Sequence, residues 1–245
     1  MGLIQTATQV DVAGSGTTSP SIVLTSAVAG NTILAFASFY HTGTTWTYTN
    51  TTDGGNTFSS VQASAKKAAD TDRSRAIASV AFNITGGSRT VAFNLSGVSG
   101  TYYVLGCLEW SALNSVDVSA ATSNIDTTTL DISAGTITTT NAGDVLIGVA
   151  SLNTSDATSN FVSPTSWTNS YRQNDSNTYI GMDAGYWVPG SIQTTYTAQW
   201  AHDNAAGDAG GGVVVALKPA AGGAAARVPQ SRPFPYKPGS PRGLR

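Results

Sequence analysis

The chain of 245 residues is poor in the residues on which many protein classes depend. It has one cysteine, two histidines and a single glutamate, Glu109, and only 11% of its residues are charged. One cysteine excludes an intramolecular disulfide framework and a Cys-rich zinc module. The low charge disfavours coiled coils and helical bundles, whose exposed faces carry Glu, Lys and Arg. These absences leave a β-rich protein with a polar but largely uncharged surface.

The same scarcity removes the usual catalytic sets. A glycosidase usually needs two carboxylates across the scissile bond, and Glu109 has no second glutamate to pair with. Serine chemistry needs a base beside the nucleophile, but His41 and His202 stand in unrelated segments and no G-x-S-x-G elbow occurs. We therefore expect no enzymatic activity, no cofactor and no metal site, and a structural role for Glu109. Calcium binding by Asp/Asn-rich loops such as 53–56 stays an open alternative, because these residues are also ordinary turn formers.

Segments rich in Val, Ile, Tyr, Phe and Thr alternate with clusters of Gly, Asn, Asp and Ser through residue 218. This pattern is typical of a β-sandwich or barrel, and no window combines helical periodicity with capping signals. We predict an all-β, antiparallel fold in which Gly86 and Gly87 form a hairpin turn. The predicted strands cover residues 32–40, 74–84, 90–95, 102–110, 144–152, 179–188, 194–200 and 213–218.

The two groups of strands resemble each other. AGNTILAFASF (29–39) aligns without a gap with AGDVLIGVASL (142–152), and each group closes on an apolar strand, YYVLGCLEW or GGVVVALKP. The repetition predicts a duplicated or pseudo-symmetric sandwich within residues 1–218, with similar halves at about 29–113 and 142–218. Trp46 and Trp167 lie in similar T-x-W-T and T-S-W-T settings, which favours packing roles over a sugar-binding platform. Cys107, inside an apolar strand, is expected in the core.

The segments LEWSALNSVDVSA (108–120) and TTTNAGDVLIGVA (138–150) carry a resemblance to a known group of folds. Residues 25–218 resemble the jelly-roll modules, similar to concanavalin-type sandwiches, of phage virion and bacterial extracellular proteins. In those modules a Glu-aromatic-Ser strand end and a buried Asp join the two halves, and Glu109, Trp110, Ser111 and Asp117 occupy the matching places. The resemblance implies a jelly-roll β-sandwich and carries no activity with it.

The composition changes abruptly after residue 218. Six of the nine prolines follow, which favours an extended backbone over residues 219–245. The residues before Lys218 have a formal charge of −8, whereas the last 28 residues hold six basic residues and no acid. A basic, Pro/Gly/Ala-rich segment on an acidic body is expected to bind a partner. The residues predicted to contact it are Arg227, Arg232, Phe234, Tyr236, Lys237, Arg242 and Arg245.

These features together predict a non-enzymatic structural protein of a bacteriophage virion, decorating the capsid or associated with the tail. Its arm would bind neighbouring copies, giving a homo-oligomer, or another virion protein. The alternative is a carbohydrate-binding or adhesive module, outside the cell or on its surface, with a glycan as ligand. No secretory signal is visible, the apolar runs are too short for a membrane span, and six dispersed charges disfavour nucleic acid.

Overall fold

The computed structural model describes residues 1–11, 18–41, 46–63, 75–97, 101–125, 131–153, 161–173, 180–202 and 209–220. These residues form antiparallel strands and, within the described ranges, no helix. The predicted all-β antiparallel class is therefore confirmed. The predicted arm lies outside the described residues, apart from Pro219 and Ala220.

The described strands fall into two consecutive sets of eight. The first set is β1 (Gly2–Asp11), β2 (Ser21–Ala27), β3 (Thr32–His41), β4 (Thr47–Thr52), β5 (Ser59–Ala63), β6 (Arg75–Ala81), β7 (Gly87–Ser96) and β8 (Thr101–Ser111). The second set is β9 (Leu113–Ile125), β10 (Asp131–Ile137), β11 (Val145–Asn153), β12 (Phe161–Val162), β13 (Thr168–Gln173), β14 (Gly181–Trp187), β15 (Tyr196–His202) and β16 (Ala209–Pro219). A single residue, Ala112, separates the two sets.

The two halves have the same sheet topology. In the first half, a five-stranded sheet has the order β1-β8-β3-β6-β5 and a three-stranded sheet the order β2-β7-β4. In the second half the orders are β9-β16-β11-β14-β13 and β10-β15-β12, which correspond strand for strand. The irregularities also agree. A bulge interrupts the β1–β8 pairing between Leu3 and Gln5, and a bulge interrupts the equivalent β9–β16 pairing at Ala216 and Leu217. Each half is thus a small sandwich, and the repeat spans residues 2–111 and 113–219.

The four sheets are stacked as four layers, with the five-stranded sheets in the middle. One apolar cluster fills each sandwich, and a third lies between the two five-stranded sheets, where Phe36 and Trp110 of the first half meet Ile147 and Met182 of the second. The strands at the centre are therefore buried on both faces. This explains why β3 and β11 read as continuous apolar runs rather than as alternating patterns.

The central interface has an approximate two-fold arrangement. Across it β3 packs on β11, β6 on β16 and β5 on β9, so the order of strands runs in opposite directions in the two sheets. Ser38 and Ser151, which occupy equivalent positions in the two repeats, meet at the centre with their hydroxyls 2.5 Å apart. Ser38 also donates to the carbonyl oxygen of Gly181 at 3.1 Å. The two serine hydroxyls buried in this apolar interface are therefore hydrogen-bonded.

The prediction of a hairpin at Gly86–Gly87 is wrong. The strand before these glycines, β6, belongs to the five-stranded sheet, and the strand after them, β7, belongs to the three-stranded sheet. The chain crosses between sheets here and is held by two backbone bonds, Ile84 N to Asn31 O and Gly30 N to Ile84 O, both at 2.9 Å. Gly86 fits closely here, because a Cβ would lie 3.1 Å from the carbonyl oxygen of Ala27 and from the backbone N of Ala29. A close approach of backbones, and not a tight turn, explains the glycine.

Gly106 has a packing role in the central interface. It pairs with Phe36 across β8 and β3, and a Cβ at position 106 would overlap the ring of Phe36. The equivalent pair in the second half is Val213 and Val149. The first half therefore fills this space with the large side chain of Phe36 opposite a glycine. The second half fills the equivalent space with two valine side chains.

We expect Gly106→Ala to lower the free energy of unfolding by about 1–3 kcal/mol, since Phe36 must leave its position in a closely packed layer. Chemical denaturation would measure the loss. Gly190→Ala is the matched control, because nothing lies within 4 Å of a Cβ at that position. Combining Gly106→Ala with Phe36→Val should recover part of the loss. Equal stability of the two alanine variants would contradict the assigned packing.

Candidate functional site

The residues predicted to bind a partner lie outside the described residues. They are Arg227, Arg232, Phe234, Tyr236, Lys237, Arg242 and Arg245. The candidate sites that the structure does describe are three clusters around buried carboxylates and one surface groove.

Glu109 lies on β8 at the end of the first sandwich and is fully buried. Its Oε1 accepts hydrogen bonds from the backbone N of Val28 at 2.8 Å and from Asn31 Nδ2 at 2.6 Å. Its Oε2 accepts one from Gln5 Nε2. These contacts join β1, β8 and the turn between β2 and β3. Glu109 therefore links these segments, and two of its three hydrogen-bond partners are side chains.

Asp183 on β14 is the second buried carboxylate, and it is compensated by charge. Arg172 on β13 approaches it from the neighbouring strand, with Nη2 2.6 Å and Nε 2.7 Å from Oδ2. Asn169 Nδ2 donates to Oδ1 at 2.9 Å, and the hydroxyl of Ser163 lies 3.0–3.1 Å from both oxygens. The fully buried carboxylate is thereby surrounded by donors, as such a group requires.

Asp144 is the third buried carboxyl group, and it differs from Glu109 and Asp183 in its hydrogen bonding. It lies where Asn31 lies in the first repeat and is fully buried, yet among the described residues neither oxygen accepts a hydrogen bond of normal geometry, and only the backbone of Asn141 and the charge of Lys218 favour its ionised form. Its neighbour Asp117 accepts hydrogen bonds from the backbone and hydroxyl of Thr140 and forms an ion pair with Lys218 at 3.0 Å. Lys218 also favours the ionised form of Asp144 through its charge, but its ion pair is with Asp117.

The two carboxyl groups divide into one acid and one carboxylate. Burial raises the pKa of Asp144 to about 7, and Asp117 adds to this by accepting a hydrogen bond from the protonated form and by repelling the ionised one. Burial also opposes ionisation of Asp117, but the hydrogen bonds from Thr140 and Lys218 outweigh it and lower its pKa to about 2. Below neutral pH, Asp144 thus carries the proton that supplies the missing hydrogen bond.

The tryptophans serve packing. Trp46, Trp110 and Trp200 are buried, and Trp167 packs edge-to-face on Trp200 with ring centroids 5.8 Å apart. Trp110 contacts Tyr186 at 5.1 Å across the central interface, so this residue of the Glu-aromatic-Ser segment does join the two halves. The predicted packing roles of Trp46 and Trp167 are confirmed. Cys107 is also buried as predicted, and burial raises the pKa of its thiol.

A groove of about 430 Å³ lies on the outer face of the second half's small sheet. Its floor is β15, whose exposed Thr197, Gln199 and Ala201 alternate with the buried Ala198 and Trp200. Asp131 on β10 forms one wall. The opposite wall is the segment 162–165, and Tyr196 also lines the groove. Sequence reasoning missed this site, and the alternation along β15 is the signal that would have indicated an outward-facing polar row.

Other kinds of site find no support in the described part of the chain. Among those residues, no group of three His, Cys, Asp or Glu side chains is placed to hold a metal ion. The described segments also contain no helix long and apolar enough to cross a membrane.

Comparisons with protein-family models, curated proteins and solved structures find no match to this chain.

The raised pKa of Asp144 predicts a pH-dependent stability. Its folded-state value of about 7 exceeds the ordinary 3.8, so the folded protein holds an extra proton between these values. The free energy of unfolding should therefore fall as pH rises from about 4 to 7. Asp144→Asn removes this slope and supplies an amide donor to Asp117, as Asn31 does to Glu109. We expect the variant to melt about 3 °C or more above wild type at pH 8 and close to it at pH 4.5.

Asn31→Asp provides the reciprocal test in the first half. It replaces the donor to Glu109 with a second carboxylate and should introduce the slope that Asp144→Asn removes. Melting curves of wild type and both variants from pH 4 to 9 would measure these effects. Identical pH profiles for wild type and Asp144→Asn would show that Asp144 does not hold the extra proton.

Proposed function

We propose that the chain is a non-enzymatic structural protein of a bacteriophage virion, decorating the capsid or associated with the tail, and that each half is a jelly roll. A jelly roll wraps eight strands so that the first pairs with the eighth, the second with the seventh and the third with the sixth. Both halves have these three pairings. They depart from the pattern only in placing the fifth strand, β5 or β13, at the edge of the larger sheet. Jelly rolls serve in viral capsids and in lectins.

The observation that carries the proposal is the hydrogen bonding of the buried carboxylates. Glu109 and Asp183 have their oxygens occupied by donors from neighbouring strands, and Asp117 is bound by Thr140 and Lys218. A general acid or nucleophile needs access to a substrate, which a fully buried and saturated carboxylate lacks. This arrangement supports the non-enzymatic part of the proposal.

The proposed arm would leave the body at one defined place. β16 ends at Pro219, and the backbone N of Ala220 donates to the carbonyl oxygen of Ala112 at the junction of the two halves. An extended chain from Arg227 to Arg245 would reach roughly 60 Å, enough to cross a neighbouring subunit. Its positive charge complements the acidic body of another copy or of another virion protein. The arm would then anchor the body within the particle.

Truncation before Arg227 tests the arm. We expect the truncated protein to keep its circular dichroism spectrum and to melt within a few degrees of wild type, because the body buries its own core. Self-association or incorporation into particles, measured by sedimentation, should be lost. A full-length variant with Phe234→Ser and Tyr236→Ser keeps the charge and separates apolar anchoring from electrostatic attraction. A folded truncated protein that assembles as wild type would overturn the arm's role.

The absence of enzymatic activity has its own test. Wild type and Glu109→Gln should both leave a panel of polysaccharides unhydrolysed, as measured by release of reducing ends. Hydrolysis by wild type that the substitution abolishes would make Glu109 catalytic and would contradict the proposal.

A further inference from the structure

We propose that Lys218 and Asp117 join through an amide bond between their side chains, and that Asp144 is the catalytic acid of this condensation. The bond would link β16 covalently to β9, the last and the first strand of the second half. It is a modification of the body, and it does not depend on the arm or on a place in a virion.

The two reacting groups are already in contact. Lys218 Nζ lies 3.0 Å from Asp117 Oδ1. The pairing of β9 with β16 has a bulge that leaves Asp117 as the extra residue between Val116 and Val118. Bulges re-aim side chains, and this one places Asp117 against Lys218. Groups held at such a distance can reach an effective concentration of roughly 10⁵–10⁸ M, which is enough for an amine to compete with water for a carboxyl carbon.

Asp144 supplies the third group, which an ordinary ion pair lacks. It is fully buried, and in its protonated form it donates a hydrogen bond to Asp117. Its raised pKa of about 7 keeps the proton on Asp144 below neutral pH. A buried acid beside a carboxyl group under attack can donate a proton to the oxygen that leaves and accept one from the nitrogen that arrives. The cluster thus holds a nucleophile, an acceptor and an acid–base group.

The condensation needs no other reactant. A proton moves from the Lys218 ammonium to the Asp117 carboxylate, which gives a neutral amine and a carboxylic acid. The amine nitrogen attacks Cγ of Asp117, while Asp144 donates its proton to the hydroxyl oxygen that leaves. Water departs with that oxygen, and the nitrogen returns a proton to Asp144. An ammonium and a carboxylate thus become an amide and one water molecule, with no change in total charge.

The surroundings of Asp117 favour this step. Thr140 donates its backbone N–H to Oδ2 at 2.5 Å and its hydroxyl to Oδ1 at 2.6 Å. Donors in these positions stabilise the negative charge that develops on a carboxyl oxygen under attack. The Asp117 side chain is only 1% exposed, which limits competing water. The Lys218 side chain is 36% exposed, so the released water has a short route to solvent.

The first half supplies an internal comparison. The residues that replace Asp117, Asp144 and Lys218 there are, by strand register and in that order, Ile4, Asn31 and Ser111. The bulge is kept in the first half, but its extra residue Ile4 is 49% exposed and apolar. The fold therefore needs neither an ion pair nor an acid at this place. The nucleophile, the acceptor and the acid are replaced together, as expected of groups that act as a unit.

The bond would have a mechanical consequence for the proposed arm. The arm follows Lys218 almost directly, since β16 ends at Pro219. Without the amide, tension on the arm is carried by the hydrogen bonds and packing of β16. With it, the tension passes through a covalent bond to β9. This consequence rests on the proposed function, whereas the bond itself does not.

Intact-mass spectrometry of the full-length protein tests the proposal. We expect the mass of wild type to be lower than that of its sequence by one water molecule, and tandem mass spectrometry of a digest to find Asp117 linked to Lys218. Lys218→Arg keeps the positive charge but cannot form the amide, so it should have the full mass. Asp144→Asn should lose water at least about a hundredfold more slowly. Glu109→Gln, which removes a carboxyl group at the equivalent end of the first half, is the matched control and should lose water as wild type does.

Melting temperature gives a second readout. The amide closes a long loop of the chain, so Lys218→Arg should melt roughly 10 °C below wild type although it keeps the ion pair. The pH-dependent melting expected for Asp144→Asn is a property of the ion-paired form. It is therefore compared in the Lys218→Arg background, in which no amide forms.

Three results would overturn the proposal. The first is wild type at the full mass of its sequence after prolonged incubation at neutral pH. The second is a loss of water that persists in Lys218→Arg, which would place the dehydration elsewhere in the chain. The third is a link from Lys218 to Asp144 instead of Asp117, which would reverse the roles of the two acids. The first and second measurements require only a mass, so they do not depend on how well a variant folds.

Discussion

The burial of both faces of each five-stranded sheet is the constraint on which the rest of the structure depends. An ordinary sandwich leaves the outer face of each sheet to water, but here one face closes a sandwich and the other closes the central interface. The side chains from Thr32 to Phe39 and from Val145 to Leu152 must therefore fit packed layers. This accounts for the many small residues on the inner strands, such as Ala35, Gly106 and Gly148, because each large side chain has to be met by a small one.

The same constraint determines where charge can be placed. A carboxylate on an inner strand or at its end is removed from water, and it must find donors or give up its charge. Glu109 accepts hydrogen bonds from neutral donors, and Asp183 forms an ion pair with an arginine. Asp144 instead binds a proton and becomes uncharged. The three carboxylates thus show three different means of compensation in one fold. They also show why a chain of low charge can still have a pH-dependent stability.

The all-β class and the inner strands can be predicted well from the sequence. Strands that are buried on both faces read as long apolar runs, here at 32–40, 102–110, 144–152 and 213–218. The sequence indicates the outer and edge strands poorly. β9, for example, reads LNSVDVSAATSNI, in which polar residues dominate and alternation is weak. The repeat can be recognised from about residues 29 and 142 onward, but its start, at β1 and β9, cannot, because those strands lack an apolar run. The Gly86–Gly87 error has the same origin, since local turn signals do not reveal which sheet receives the next strand.

The groove lies on the part of the surface where packing constrains the side chains least. The inner faces are fixed by packing, and the ends of the sandwiches are fixed by carboxylate clusters that differ between halves but hold equivalent turns. The outer faces of the two small sheets remain, and on them alternate side chains of β7 and β15 are exposed or partly exposed. Substitution there costs little stability. Two halves with one topology can therefore carry different surfaces, with Asp131 and Gln199 in the second half where Ser21 and Thr90 stand in the first.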